Sequence, residues 1–361
     1  MSDQTTAAAD LGPLEPILSD PDVTEIFVDS PERISIVRRG RLEDSDARFD
    51  SQEHLIAIVR ALVTPLGRRF DESNPLVDVR FSDGSRMTAV ISPIALEGPA
   101  VVFSKYRRGH LTIEDLVGFG SLSQEIVAFV RACVAGRMNI VVAGNANSGK
   151  TTVMNLIVAM IGGDERVVTV EEASEIHIAR RRMVRLESRP ANLAGKGAVT
   201  VKDLVMQALR MYPERLIVGE LRGGEVWPLI QAINNGHDGS MATMYATSPR
   251  DALARLEIMA TSADPSVPLL NVREQMAAAL DLIVQTSRLA DGSRKITHVT
   301  EVHRLERDVI QLQDIFTFVE GPRNGDERIQ GRFAATGQIP TFLLKLRQRG
   351  VDLPVDLFRP S

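Results

Sequence analysis

The chain has 361 residues, of which 44% are hydrophobic and 25% are charged. These proportions are near the average for globular proteins, so extensive disorder is excluded. Its 42 Lys and Arg residues against 47 Asp and Glu residues give a formal net charge of −5, and only 4% of residues are aromatic. This balance disfavours sequence-independent nucleic-acid binding, which needs basic surfaces and base-stacking side chains. At roughly 150 residues per domain, the length predicts two domains.

Cys133 is the single cysteine of the chain. It excludes an internal disulfide, a four-cysteine zinc site and an iron–sulfur cluster, and it fits a reducing cytoplasm. The first ten residues lack the basic and apolar regions of a signal peptide. The longest dense apolar stretch, 153–161, is shorter than the ~20 residues that span a bilayer. We therefore expect a cytoplasmic protein without a membrane span.

The first part of the chain is predicted to form a small α+β domain. Short strands bounded by turn residues combine there with a helix whose apolar residues recur at helical spacing. The elements are helices at 14–18 and 52–63 and strands at 24–29, 33–37, 77–81, 87–91 and 100–106. Gly40 ends the second strand, and Asp83-Gly84 is a hairpin signal between the third and fourth. We predict a disordered tail at 1–11 and a domain at 12–106.

The pattern changes after a predicted linker at 107–119. A helix is predicted over 123–135, and apolar strands then alternate with helices. These strands lie at 140–143, 166–170, 216–218 and 239–245. Such alternation is typical of a parallel sheet covered by helices. We predict that 120–361 forms this larger domain.

A candidate phosphate-binding loop follows the strand at 140–143. Residues 144–151 match the pattern G-x-x-x-x-G-K-[ST]. Its glycines let backbone N–H groups curl around a phosphate, its lysine supplies positive charge, and its threonine offers a hydroxyl to Mg²⁺. The predicted nucleotide-binding residues are Gly144, Asn147, Ser148, Gly149, Lys150, Thr151 and Thr152. A glycine-rich turn without a ligand is the alternative.

Carboxylates lie at the ends of two predicted strands. Glu220 follows the strand at 216–218, and we predict that it is the general base that takes a proton from a water beside the γ-phosphate. Glu171 and Glu175 follow the strand at 166–170 and are predicted to assist the metal or the attacking water. Thr151 and Glu175 are the predicted contacts of Mg²⁺, partly through water. Solvated acids are the alternative for all three glutamates.

His237 and several arginines are weaker candidates. His237 lies in a tight turn and is predicted to sense the γ-phosphate or to couple neighbouring subunits, with a structural histidine as the alternative. Arg80 and Arg86, on adjacent predicted strands, are candidates for an arginine that stabilises the transition state. A second group in the larger domain comprises Arg180, Arg181, Arg182, Arg185 and Arg189. Surface charge is the alternative for every arginine.

These blocks, in this order, resemble the secretion-superfamily (GspE-like) ATPases of type II and type IV secretion and of type IV pili. VTVEEASEI resembles the family's Asp box, LIVGELRGGE its atypical Walker B strand, and NNGHDGSMATMYATSPRDALARLE its His box. The segments at 19–42 and 67–106 and the tail at 333–358 are similar to the CpaF-like Tad/Flp pilus assembly ATPases. The single cysteine agrees with this branch, since the type II secretion and type IVa assembly ATPases commonly carry a tetracysteine zinc module.

The resemblance implies an α/β fold, with a RecA-like P-loop NTPase domain preceded by a smaller, PAS-like α+β clamp domain. It implies hydrolysis of ATP with Mg²⁺ in a homo-oligomer, a hexameric ring, with Arg80 or Arg86 reaching the nucleotide and a hinge near 107–112. It further implies an inner-membrane platform protein as partner, no direct nucleic-acid contact, and a location at the inner face of the cell membrane. The expected function is assembly, or also retraction, of a Tad-type pilus or related secretion machine.

Two positions depart from the family pattern. Tyr245 lies where the family usually has the His of a T-I-H-A-N segment, and Ser104 lies where many members have the Arg of an I-R-K-F segment. Three alternatives stay open: a P-loop nucleic-acid translocase or helicase, a small-molecule P-loop kinase, and a conjugative type IV secretion ATPase.

Overall fold

The computed structural model describes residues 11–38, 41–81, 83–105, 111–176, 178, 180–191, 196–321 and 329–360. The chain divides into two compact units, Met1–His110 and Leu111–Ser361. Nearly all of the predicted tail, the predicted strand break at Gly40 and the start of the predicted linker, 107–110, lie outside the described residues.

The first unit is built on a six-stranded antiparallel sheet. Its elements are α1 (Glu15–Ser19), β1 (Val23–Ser30), β2 (Arg33–Arg38), β3 (Arg41–Asp44), α2 (Gln52–Val63), β4 (Leu76–Arg80), β5 (Arg86–Val90) and β6 (Ala100–Ser104). The strand order is β3-β2-β1-β6-β5-β4. Helix α2 begins where the Ser51 side chain accepts a hydrogen bond from the His54 N–H, and it buries Leu55 and Val59 in the core of this unit. The prediction missed β3, a short strand with no apolar alternation.

The second unit contains a nine-stranded sheet. Its helices are α3 (Ile113–Gly118), α4 (Gln124–Ala135), α5 (Lys150–Ala159), α6 (Val201–Leu209), α7 (Val226–Asn234), α8 (Pro249–Ala263), α9 (Leu269–Ala279) and α10 (Leu343–Gln348). Its strands are β7 (Ile140–Gly144), β8 (Val167–Glu171), β9 (Met183–Glu187), β10 (Arg215–Leu221), β11 (Met241–Tyr245), β12 (Leu282–Arg288), β13 (Arg294–Glu306), β14 (Val309–Glu320) and β15 (Gly331–Ala335). The strand order is β15-β14-β13-β12-β7-β11-β10-β8-β9.

The sheet is mixed, whereas the sequence predicted a parallel one. The six strands from β12 to β9 are mutually parallel, but β13, β14 and β15 extend the sheet in antiparallel fashion. The sequence did not predict this extension, because charged residues interrupt the apolar pattern of β13 and β14.

Helix α3 lies inside the predicted linker. It starts at a capping box in which Thr112 and Asp115 satisfy each other's backbone N–H groups.

Both faces of the central parallel strands are buried. Along β7, Ile140 and Val142 join a core with helices α4, α5 and α10, and Val141 and Ala143 join a second core with helices α6 to α9. Polar side chains of these strands therefore reach solvent mainly at the strand ends, which is where ligands bind in such folds. Among the described residues, no helix is long and apolar enough to cross a membrane.

Candidate nucleotide site

The phosphate loop connects β7 to α5 at the carboxyl edge of the parallel strands. Asn147 (φ 57°) and Gly149 (φ 93°) adopt the left-handed conformation, which turns successive peptides of the loop. Gly149 is the N-cap of α5, and none of the described side chains caps that end of the helix. The first N–H groups of α5 are therefore directed at the loop, as in an anion site.

Gly144 is required at the start of the loop by close packing. A Cβ on this residue would lie 2.3 Å from Thr286 Oγ1 and 2.4 Å from Ser148 Oγ. These two hydroxyls are 2.8 Å apart and buried. The glycine therefore lets the loop lie against β12, in addition to the phosphate access that the sequence pattern predicts.

Lys150 is held at the mouth of the loop by two contacts. Its Nζ donates to the Asn145 carbonyl at 2.9 Å and lies 3.8 Å from the centroid of the Tyr245 ring. Burial lowers the pKa of Lys150, and the nearby charges of Glu220 and Glu175 oppose that shift. Tyr245 thus places an aromatic face beneath the ammonium group.

The two predicted magnesium contacts lie side by side. The Thr151 hydroxyl donates to Glu175 Oε2 at 2.9 Å. Asn155, one turn further along α5, donates to the Glu175 carbonyl at 3.1 Å and so fixes this loop to the helix. Within the described part of the chain, no three His, Cys, Asp or Glu side chains form a group that holds a metal ion by themselves. A metal at this place would need phosphate oxygens to complete its coordination.

Glu171 is buried rather than open to a ligand. It is 2% exposed, and its Oε2 accepts the backbone N–H groups of Glu175 at 2.6 Å and Ile176 at 2.9 Å. Burial raises the pKa of this carboxyl, and the two N–H groups oppose the shift. This geometry favours a positioning role, in which Glu171 holds the turn that carries Glu175, over the predicted direct role in catalysis.

Glu220 extends from the carboxyl end of β10 and is paired with Arg222. The Arg222 Nε donates to Glu220 Oε1 at 2.6 Å, and its Nη1 contacts Glu172. The hydrogen bond to Glu220 raises the pKa of Arg222, so the guanidinium stays charged. The buried Glu225 accepts the N–H of Arg222 at 2.5 Å and that of Gly223 at 2.8 Å, which fixes the turn. The sequence pattern did not predict a role for Arg222, although residues two apart at a strand end, such as Glu220 and Arg222, face the same side of the strand.

His237 lies at the opposite edge of the sheet. In the parallel register of β11 and β7, Met241 pairs with Ile140 and Tyr245 pairs with Gly144. His237 precedes Met241, so it is separated from the phosphate loop by the strand length, about 13 Å at 3.3 Å per residue. This separation disfavours contact between His237 and a phosphate bound at the loop of its own chain. The other hypothesis, coupling between subunits, stays a prediction.

Comparison with known proteins agrees with this architecture. Residues 7–331 match the family described as "Type II/IV secretion system protein". The chain belongs to this family. It is 32% identical over 301 residues to "Putative conjugal transfer protein Rv3659c" of Mycobacterium tuberculosis (strain ATCC 25618 / H37Rv), covering 82% of this chain and 85% of the relative.

Two solved structures share the fold of this type II/IV secretion family member. The Legionella pneumophila ATPase DotB aligns with a TM-score of 0.55 at 18% identity, covering 85% of this chain and 84% of DotB. The pilus retraction motor PilT with bound ADP aligns with a TM-score of 0.58 at 15% identity, covering 95% of this chain and 88% of PilT. At these identities the likeness shows the fold: an N-terminal domain and a RecA-like domain.

In this secretion-family chain, the candidate arginines of the first unit form a cross-strand row. Arg80 on β4 pairs with Arg86 on β5, which pairs with Ser104 on β6. Ser104 is thus the third position of the same row. Arg86 forms an ion pair with Asp78 inside the unit. Their role toward a nucleotide stays a prediction.

The arginine group of the second unit serves mainly local structure. Arg180 donates to the Ile161 and Gly162 carbonyls, Arg182 to the Asp164 carbonyl, Arg185 to the Ser174 hydroxyl, and Arg189 to the Gly197 carbonyl.

Two residues that contact the phosphate loop were not predicted from the sequence. Thr286 contacts Ser148, and the Arg294 Nε donates to the Asn147 carbonyl at 2.7 Å.

Proposed function

We propose that this chain is an ATP-hydrolysing motor of a pilus or secretion machine. The observation that carries the proposal is the convergence of Lys150, Thr151, Glu175 and Glu220 at one edge of the sheet, beside the start of α5. A helix N-terminus with a lysine suits phosphates, a hydroxyl beside a carboxylate suits Mg²⁺, and a further carboxylate suits activation of water.

The residues present fit Mg·ATP. The first N–H groups of α5 and Lys150 would bind the β- and γ-phosphates, with Lys150 exchanging the Asn145 carbonyl for a phosphate oxygen. Thr151 and Glu175 would hold Mg²⁺ next to those phosphates. When bound, the metal neutralises phosphate charge and makes phosphoryl transfer easier.

Glu220 would act as the general base of hydrolysis. Arg222 donates to Oε1, which leaves Oε2 to orient a water and to accept its proton as the water attacks the γ-phosphate. The same Arg222 contacts Glu172, so the guanidinium is restrained by a second carboxylate. Glu171 would act indirectly by holding Glu175 in place.

We extend the proposal to a Tad-type pilus, which the N-terminal and tail segments support by resemblance. Six copies would form a ring that binds ATP between subunits, because head-to-tail contacts close into rings. Arg80 or Arg86 would stabilise the transition state, and His237 would couple neighbouring subunits. Motion of one domain against the other would be passed to an inner-membrane platform protein, which places the chain at the inner face of the membrane.

The experiment is ATP turnover by the purified full chain, with and without Mg²⁺, together with its mass in solution with and without a slowly hydrolysed ATP analogue. We expect Mg²⁺-dependent turnover and a ring favoured by the analogue. Lys150→Ala should lose both, because it lacks the phosphate-binding charge. A wild-type protein that stays monomeric in both conditions and shows no turnover would overturn the proposal.

A conjugative secretion ATPase is the second candidate, because the Mycobacterium tuberculosis relative is named as a conjugal transfer protein. The net charge of −5 disfavours direct contact with DNA. Stimulation of turnover by single- or double-stranded DNA at moderate salt would favour this candidate or a nucleic-acid translocase. Transfer of phosphate to an added small molecule rather than to water would instead favour a kinase.

A further inference from the structure

The hairpin formed by β12 and β13 lies directly beside the phosphate loop. Strand β12 runs parallel to β7, and Thr286 is in register with Gly144. Thr286 is 1% exposed; its hydroxyl donates to the Ala143 carbonyl at 3.2 Å and lies 2.8 Å from Ser148 Oγ. Since a hydroxyl donates one proton, Ser148 is the donor in the second bond. The loop is therefore bonded to β12 through a buried hydroxyl pair.

The second strand of the hairpin holds the other side of the loop. Arg294, at the start of β13, donates from Nε to the Asn147 carbonyl at 2.7 Å. Its Cδ also lies 3.4 Å from the point where a Cβ on Gly149 would be, so the side chain packs over the loop. The Asn147 carbonyl and the Ser148 N–H belong to one planar peptide, so fixing one fixes the direction of the other.

We propose that Thr286 and Arg294 are positioning residues that hold the phosphate loop in its anion-binding shape, so that this hairpin sets nucleotide affinity. The inference rests on the proposed ATPase function. Both side chains contact Ser148 or Asn147, which form the middle of the loop, and both come from the part of the sheet that lies outside the nucleotide motif. A loop that is ordered before the phosphate arrives does not lose that freedom on binding.

The first test compares Thr286→Val, Thr286→Ser and Thr300→Val in the full chain, with the Kd for ADP measured by calorimetry. Valine keeps the shape but removes the buried hydroxyl, and we expect affinity to fall by about 10-fold. Serine restores the hydroxyl and should restore affinity to within about 2-fold. Thr300 is the matched control, because it is also 1% exposed and its hydroxyl donates to Asp314 Oδ1 at 2.6 Å, remote from the loop. Thr300→Val should lower the melting temperature of the protein without changing its Kd for ADP.

The second test does not depend on a buried site. Arg294→Met removes an exposed arginine and its bond to Asn147, and Arg288→Met removes the same charge from the cross-strand partner of Arg294. We expect KM for ATP to rise ~3- to 10-fold in Arg294→Met with kcat nearly unchanged, and little change in Arg288→Met. Comparing Arg294→Met with Arg288→Met also separates the loss of a contact with the loop from the loss of long-range attraction to an anion.

The outcomes are distinguishable. An unchanged Kd for ADP in Thr286→Val together with an unchanged KM for ATP in Arg294→Met, with a wild-type protein that binds ADP, would overturn this inference and leave the proposed function intact. Equal weakening in Thr300→Val or Arg288→Met would also overturn it, because the effect would then be one of stability or charge. A wild-type protein that binds no nucleotide would overturn both.

Discussion

The two edges of the parallel strands use similar charged side chains in opposite ways. At the amino edge, Arg215 is 1% exposed and donates to both Glu165 oxygens, at 2.8 and 3.1 Å, and to the Val134 carbonyl at 2.8 Å. Burial alone would raise the pKa of Glu165, but the hydrogen bond and charge of Arg215, together with the charge of Arg137 and the Gly162 N–H, lower it overall. Arg215 and Glu165 therefore form an ion pair whose partners both belong to the protein.

A second amino-edge network fixes the turn that carries His237. The buried Asn139 side chain accepts the Gly239 N–H at 2.8 Å and donates to Asp281 Oδ2 at 3.0 Å. Lys345 of α10 reaches Asp281 Oδ1 at 3.1 Å, and Arg349 contacts Asp238. Gly239 (φ 79°) is required, since a Cβ there would lie 2.0 Å from Arg215 Nη1.

At the carboxyl edge, by contrast, the contacts are ones that a ligand can replace. Lys150 donates to a backbone carbonyl, Thr151 donates to Glu175, and Glu220 is 21% exposed on its side chain. The positive end of α5 favours an anion there. The Arg215–Glu165 ion pair at the amino edge therefore stabilises the fold, and we propose that Lys150, Glu175 and Glu220 at the carboxyl edge serve the chemistry. Variants at Glu220, Arg215, Tyr245 and Glu301 test this difference between the two edges.

Glu220→Gln should lower ATP turnover by at least about 100-fold while ADP affinity stays near that of the wild type, because an amide cannot accept the proton of the attacking water. Steady-state turnover and calorimetry measure the two quantities. Glu172→Gln is the matched control, since Glu172 contacts the same Arg222 but is not the predicted base. Full turnover in Glu220→Gln would refute the base assignment.

Arg215→Met should destabilise the second unit by ~3–5 kcal/mol, because it leaves Glu165 partly buried without its main partner. Arg137→Met removes a second partner of Glu165, at 2.8 Å but 38% exposed, and should cost less than ~1 kcal/mol. Urea unfolding followed by circular dichroism gives both values. If the two variants lost equal stability, the amino edge would not owe its stability to the buried ion pair.

Tyr245→Leu should weaken ADP binding by roughly 2- to 5-fold, since it removes the ring that holds the Lys150 ammonium in place. Tyr245→Phe keeps the ring face and should bind ADP as the wild type does. Calorimetry distinguishes the two variants. A loss in Tyr245→Phe as large as that in Tyr245→Leu would assign the effect to the phenol hydroxyl instead.

Glu301→Gln should change how stability depends on pH at the amino edge. Burial raises the pKa of Glu301, although the Thr341 hydroxyl and N–H oppose the shift. A raised pKa means that the folded state binds more protons, so the wild type loses stability as pH rises from about 4.5 through the raised pKa. The variant lacks this loss, and its stability relative to the wild type should rise with pH. Urea midpoints of both proteins between about pH 4.5 and 7 measure the trend; a constant difference would contradict it.

Local patterns predicted much of the candidate site. The phosphate loop, the adjacency of Thr151 and Glu175, and the place of Glu220 at a strand end follow from a contiguous motif and from the rule that parallel strands end at one edge. The same rule, applied to His237 before its strand, would have placed it at the far edge. Thr286 and Arg294 carry no such signal, because their partners, Ser148 and Asn147, lie more than a hundred residues away in the chain.

Residues close together in the chain were enough to predict the two-part α/β organisation, most of the strands and the chemical character of the nucleotide loop. Contacts between distant segments continue the sheet into β13–β15, bury the Glu171 carboxylate and bury Arg215 with Glu165. Burial and strand register determine which charged side chains are paired with each other. Both depend on packing between distant segments, which a local pattern does not contain.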